Sequence, residues 1–150
     1  MTDDPGPASG GVPSLRRLDH VGVIVDDLGE AIRLLGGKLG LERAGGSDGP
    51  AIRTAFFRCG DARIEVIEVL EPERRRERLG EGATARIEHI AIEVDDLAAT
   101  LAVLQELGIH ANAAPRVSGD YLTFWTDPGT SDGIMLQFLE RPAGPSSEGV

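Results

Sequence analysis

Cysteine is almost absent: Cys59 is the single one among 150 residues. One thiol cannot close an intramolecular disulfide, and without a Cys-x-x-Cys pair there is no thiolate zinc site or redox couple to expect. A reducing, cytoplasmic setting follows as the expectation. Long apolar runs are missing as well, none approaching the roughly 20 residues that span a bilayer, so no membrane role is expected. Basic charge is scarce, with 15 Lys and Arg against 25 Asp and Glu and a formal net charge of −10. Such a surface repels phosphate backbones and speaks against nucleic-acid binding. Met1–Ser14 lacks the basic start and apolar core of a signal peptide; acidic, then rich in Gly and Pro, it is expected to be a loose tail. There is no Gly-x-Ser-x-Gly elbow, no phosphate-binding glycine loop, and no histidine placed to activate Cys59.

What the chain does have is an internal repeat, and a repeat decides architecture before any local motif does. Leu18-Asp-His-Val-Gly-Val-Ile-Val-Asp-Asp-Leu28 matches Ile87-Glu-His-Ile-Ala-Ile-Glu-Val-Asp-Asp-Leu97 position for position, with His20 aligned to His89. Each copy is a β-branched run followed by an Asp pair suited to capping a helix. Apolar stripes then continue through Leu28, Ile32, Leu35 and Leu39, and through Leu97, Leu101, Leu104 and Leu107, with Gly36-Gly37 and Gly108 as weak points or ends. Further strands are expected over Ala51–Arg58, Ala62–Leu70, Tyr121–Thr126 and Ile134–Leu139, and Gly45-Gly46 and Gly119 have the look of turns. The last strands align too, pairing Glu65 with Gln137. The charged stretch from Pro72 to Arg86 reads as a connector. Within it Arg74, Arg75, Arg76 and Arg78 could attract a substrate phosphate, but Glu73, Glu77 and Glu81 fit a solvated linker or helix face better.

Side chains alternate across a strand, so the valines at 21, 23 and 25 should take the helix and leave His20 on the opposite face. The same parity puts His89 there, and Glu65 and Gln137 on the last strands. Glu68 competes with Glu65 but has the opposite parity. Two imidazoles, a carboxylate and an amide oxygen suit one divalent ion, with Co, Ni, Zn, Mn and Mg all open. His110 has no repeat partner and is expected to be exposed; Phe124 and Trp125 are expected in the core, with Tyr121 a candidate pocket residue.

These paired strands resemble the vicinal oxygen chelate superfamily over about residues 15–141. The nearest likeness is to methylmalonyl-CoA epimerases, through the segments at 18–28 and 87–92, Leu39-Gly-Leu41 and Gly60-Asp-Ala-Arg-Ile-Glu65. The resemblance implies an α+β fold of two tandem βαβββ modules, forming a cupped mixed sheet with helices on its outer face. Module one would span 15–72 and module two 87–141, with a connector at 73–86 and tails at 1–14 and 142–150. It also implies a homodimer, metal ligands at His20, Glu65, His89 and Gln137, and a small-molecule substrate such as an acyl-CoA whose α-proton is moved. Two departures bear on mechanism. The epimerases carry Gln on the first module's last strand and Glu on the second's, the reverse of Glu65 and Gln137. Their glutamate base precedes the second strand, where Ala44-Gly-Gly-Ser-Asp-Gly-Pro50 offers only Asp48. Glu65 and Asp48 are therefore the candidate proton carriers. Rival expectations are a glyoxalase I-type lyase, a resistance-type binding protein without catalysis, and an iron-dependent ring-cleaving oxygenase.

Overall fold

A computed structural model describes residues 11–142; the expected tails lie outside it, apart from residues 11–14 and 142, which carry no helix or strand. The strands are β1 (Leu15–Val25), β2 (Arg43–Asp48), β3 (Ile52–Cys59), β4 (Ala62–Val69), β5 (Ala85–Val94), β6 (Arg116–Ser118), β7 (Tyr121–Trp125) and β8 (Leu136–Glu140). The helices are α1 (Leu28–Ile32), α2 (Pro72–Leu79) and α3 (Leu97–Glu106). In sequence this is βαβββ twice over, with α2 between the copies. The fold is α+β, as the resemblance implies.

The described residues form two compact units, Leu18–Ala91 and, flanking it in sequence, residues 11–17 with residues 92–142. In the first unit the strand order is β2-β3-β4-β1-β5. β1 runs parallel to β4, setting His20 beside Arg63 and Gly22 beside Glu65, while β3 runs antiparallel to both β2 and β4. One face carries Val25, Leu28, Leu35, Ala55, Phe57 and Val66, with Val23 and Ile64 packed alongside. The valine face of β1 does take the helix. On the other face Ile24, Ile67 and Val69 are covered by Leu79 of α2. In the second unit β8, β7 and β6 are neighbours in that order, and Val94, Leu97, Leu104, Phe124 and Phe138 form its core.

Both expected caps are present. Asp27 accepts from the Glu30 amide and Asp96 from the Ala99 amide, each at 3.0 Å, satisfying amides that a helix start leaves open. After Ile32 the first helix widens into π turns over Arg33–Lys38, with the Leu39 amide donating to Leu34 O at 2.9 Å. The extra residue per turn rotates Leu39, expected on the apolar stripe, out to solvent, and Leu41 packs in its stead. Gly36 sits at this turn because a β-carbon there would come within 3.1 Å of the Phe57 ring.

Gly45-Gly46, expected as a turn, instead belongs to β2 beside a register shift between Arg43 and Gly45. Gly46 has φ +155°, and an added β-carbon would lie 2.4 Å from Thr54 O, so only glycine lets this strand approach β3. Gly119 does turn the chain between β6 and β7. The connector is the larger surprise, since part of it is a helix. Its apolar contribution is mainly Leu79, and Arg75 fastens it by donating to Val69 O at 3.3 Å and to the Asp26 carboxylate.

Candidate metal centre

Strand parity brings His20, Glu65 and His89 together inside the first unit. His20 Nε2 lies 3.4 Å from His89 Nε2 and 3.4 Å from Glu65 Oε1, and His89 Nε2 lies 3.5 Å from the same oxygen. Both imidazoles are fully buried, and the Glu65 side chain is 14% exposed.

The other ring nitrogen of each histidine is already committed. His20 Nδ1 donates to Asp19 Oδ2 at 2.7 Å and His89 Nδ1 to Glu88 Oε1 at 3.1 Å. A carboxylate can only accept, so each ring carries its proton on Nδ1 and turns the Nε2 lone pair toward the trio. Asp19 in turn receives Arg63 Nη2 at 2.8 Å, and Glu88 receives Arg78 through two bonds of 2.9 and 2.8 Å. Phe56, opposite Glu65 on β3, sets its ring edge-on to His20 at 5.4 Å, and the Arg63 guanidinium lies 4.2 Å above its centroid. Gly22 opens the space: a β-carbon there would fall 1.9 Å from His89 Cε1.

Two neutral imidazole nitrogens and a carboxylate oxygen are three acceptors facing one another, an arrangement that calls for a cation. Donors about 2.1 Å from a divalent ion stand about 3.0 Å apart at right angles and about 3.4 Å apart at tetrahedral angles. A triangle with edges of 3.4 to 3.5 Å is thus a ready-made coordination face, and the nitrogen–oxygen donor set suits a borderline divalent ion. Among the described residues this is the one group of three such side chains of metal-binding geometry.

The same electrostatics show in protonation. A proton can be that cation: burial raises the Glu65 carboxyl, but hydrogen bonds from the imidazoles, once Nε2 carries a proton, outweigh it and hold it at about 2. Burial opposes charge on His20, yet Asp19 and Glu65 keep its pKa above the ordinary value. Burial likewise works against Glu88, and its contacts with Arg78 and His89 bring it down to about 2.

Glu68, the competing ligand, faces the other way and caps α1 by accepting the Leu28 amide at 2.7 Å. Asp48 is not brought to the trio. It stands opposite Arg53, three positions along β3 from Phe56, about 10 Å at 3.3 Å per residue, and on the face of Ala55 and Phe57. Its side chain is 83% exposed and pairs with Arg53 at 3.3 Å. Gln137 belongs to the second unit, where it is buried and donates Nε2 to Thr123 Oγ1 at 3.1 Å, while its Oε1 has no hydrogen-bond partner among the described residues. His110 is exposed, Phe124 is core, and Arg141 lies 5.6 Å above the half-buried Tyr121 ring. Of the arginine run, Arg74 pairs with Glu71, while Arg75 and Arg78 turn inward as fasteners. Asp19, Glu88, Arg63 and Gly22 were not singled out by sequence reasoning, and Arg78 only as a member of the arginine run. For the first two the signal was there, since an acidic residue precedes the histidine in both repeats.

No curated protein matches the sequence. Among solved structures, the fold is similar to that of a hypothetical protein from Bacillus halodurans C-125, with TM-score 0.77, 24% identity, and 87% of this chain and 98% of that one covered. It is similar to methylmalonyl-CoA epimerase from Mycobacterium tuberculosis, with TM-score 0.78, 22% identity, and coverage of 89% and 93%. A Streptomyces coelicolor methylmalonyl-CoA epimerase variant in complex with 2-nitronate-propionyl-CoA gives TM-score 0.75, 20% identity, and coverage of 89% and 99%. At such identities the likeness speaks for the fold. A family model matches residues 17–138, the span that contains the repeat and the trio, and the chain belongs to the Glyoxalase/Bleomycin resistance protein/Dioxygenase superfamily.

Proposed function

We propose that this chain is a metal-dependent isomerase of the epimerase kind, moving a proton next to the carbonyl of a small acyl compound, with acyl-CoA thioesters as the leading substrate class. The observation that carries the reading is the near-equilateral His20–Glu65–His89 triangle with both Nδ1 positions held by carboxylates. Fold likeness to methylmalonyl-CoA epimerases supports the substrate class. His20, His89 and Glu65 would hold the ion. A divalent ion bound there supplies Lewis-acid stabilisation to negative charge that develops on a carbonyl oxygen.

The chain's own residues set the rest. Asp19 and Glu88 keep both rings in one tautomer. Glu65 is the carboxylate of the trio and the one we assign as proton carrier; a carboxyl held at about 2 is ionised and free to accept, though weakly basic until its imidazole contacts are redirected. Asp48, on the helix face, is set aside from that role. Gln137 stays in the proposal as the fourth ligand that the family likeness suggests, supported by its lone amide oxygen. A homodimer is proposed on the same likeness. No helix among the described residues is long and apolar enough to cross a membrane, and Cys59 is exposed and free, in keeping with a reducing compartment.

The test joins metal analysis of the purified protein to deuterium exchange at the α-carbon of methylmalonyl-CoA and related thioesters in D2O. About one metal per chain and exchange that disappears with His20→Ala or His89→Ala are expected. Exchange confined to thiol–aldehyde adducts would move the assignment to a glyoxalase-type lyase. Metal-free protein with no exchange would leave a binding protein.

A further inference from the structure

Asp19 and Glu88 occupy equivalent positions of the repeat, each directly before its histidine. In both, one carboxylate oxygen does two jobs. Asp19 Oδ2 takes His20 Nδ1–H and an Arg63 N–H, and Glu88 Oε1 takes His89 Nδ1–H and an Arg78 N–H. The arms differ in where the guanidinium comes from. Arg63 lies on β4, two residues before Glu65, so the first arm is internal to the sheet. Arg78 lies on α2, outside both βαβββ copies.

That difference has mechanical content. Neighbouring residues on a strand point to opposite faces, so β5 alone does not bring the Glu88 carboxylate to the ring of His89. The bidentate grip of Arg78 does, fixing both Glu88 oxygens in a planar fork that leaves the Oε1 edge toward Nδ1. Without it, Glu88 would gain solvation by turning outward. The helix itself is anchored by Leu79 in the core and, apart from the Arg78 contact, by Arg75 on Val69 O and Asp26.

We propose that Arg78 and Glu88 are positioning residues for His89, which makes α2 a working part of the metal centre rather than a linker. The inference rests on the reading of the trio as a metal site. It assigns Arg78 to holding the site and Arg75 only to fastening the helix, leaving Arg74 and Arg76 on the helix surface.

The test uses full-length protein with labelled histidine. Nitrogen chemical shifts of the metal-free form at mildly alkaline pH should show His89 as the Nδ1–H tautomer; Arg78→Met and Glu88→Leu should mix the two tautomers. Cobalt affinity should fall by about ten- to a hundredfold in both variants, with a changed visible spectrum. Arg78→Lys should restore part of the affinity. Arg75→Ala, which loosens the same helix without touching Glu88, should lower melting temperature while leaving tautomer and affinity as in the parent. Unchanged tautomer and affinity in Arg78→Met, or equal losses in Arg75→Ala, would overturn the proposal. If the parent binds no cobalt while the tautomer shift occurs, the metal reading falls and the positioning of His89 stands.

Discussion

The imidazole of His89 occupies the space that a side chain on Gly22 would need: an added β-carbon would lie 1.9 Å from Cε1 and 2.3 Å from Nε2. Gly22 has ordinary strand backbone, so its role is clearance, not conformational freedom. Gly22→Ala should push the ring off the trio, costing about 1–3 kcal/mol of overpacking. Cobalt stoichiometry would read the first effect and urea unfolding the second. A variant of parental stability and full metal content would contradict the packing described.

Glu65 belongs to the trio, where we propose it as a ligand, while Glu68 caps α1. Glu65→Gln should keep the fold and lose most metal affinity and all α-proton exchange. Glu68→Ala should retain metal and lose about 1 kcal/mol through the exposed Leu28 amide. Calorimetric titration with zinc beside thermal melts distinguishes the two, and a swap of these outcomes would reassign the ligand.

Strand parity made the opposite facing of Glu65 and Glu68 legible in the sequence, because Ile64 and Val66 had to face the helix and so turned Glu65 to the opposite side. The repeat made His20 and His89 legible as a pair. The supporting groups were less so, for physical reasons. Glu88 and Arg78 meet through a fold in the chain that no local spacing records, and α2 has too few apolar residues to show a stripe, being fastened by Leu79 and by arginines. The π turns over Arg33–Lys38 likewise leave the four-three-four leucine spacing intact on paper while moving Leu39 to solvent and Leu41 inward.

The metal-free protein should be most stable in a mildly acidic window. Glu65 and Glu88 titrate at about 2 in the fold and near 4.5 when unfolded, so their contribution is complete above 4.5 and disappears as pH falls toward 2. His20 is raised above 6.5, so its contribution is complete below 6.5 and is lost as pH rises through the folded value. Melting temperature across pH, after chelation, should therefore peak between about 4.5 and 6.5. A bound metal should flatten the alkaline fall, since it takes over the proton's place.

Thr123→Val removes the hydroxyl that receives Gln137 Nε2 at 3.1 Å. The cost should be about 1–2 kcal/mol, because a buried amide N–H loses its partner. Metal affinity should weaken alongside if Gln137 is the fourth ligand. Unaltered affinity with the expected loss of stability would limit Gln137 to packing.

Glu68 and Glu140 lie on the strands that close each repeat. Glu140 Oε1 accepts the Leu97 amide at 2.9 Å, as Glu68 accepts the Leu28 amide. In each copy the strand that offers a ligand candidate thus also bolts down the helix that began the copy, three residues farther on and from its other side. A strand that slipped by one residue during folding would present its carboxylate to the wrong surface and leave a helix start bare. Misalignment would be penalised twice, once at the ligand candidate and once at the helix start, so each copy carries its own proofreading of register.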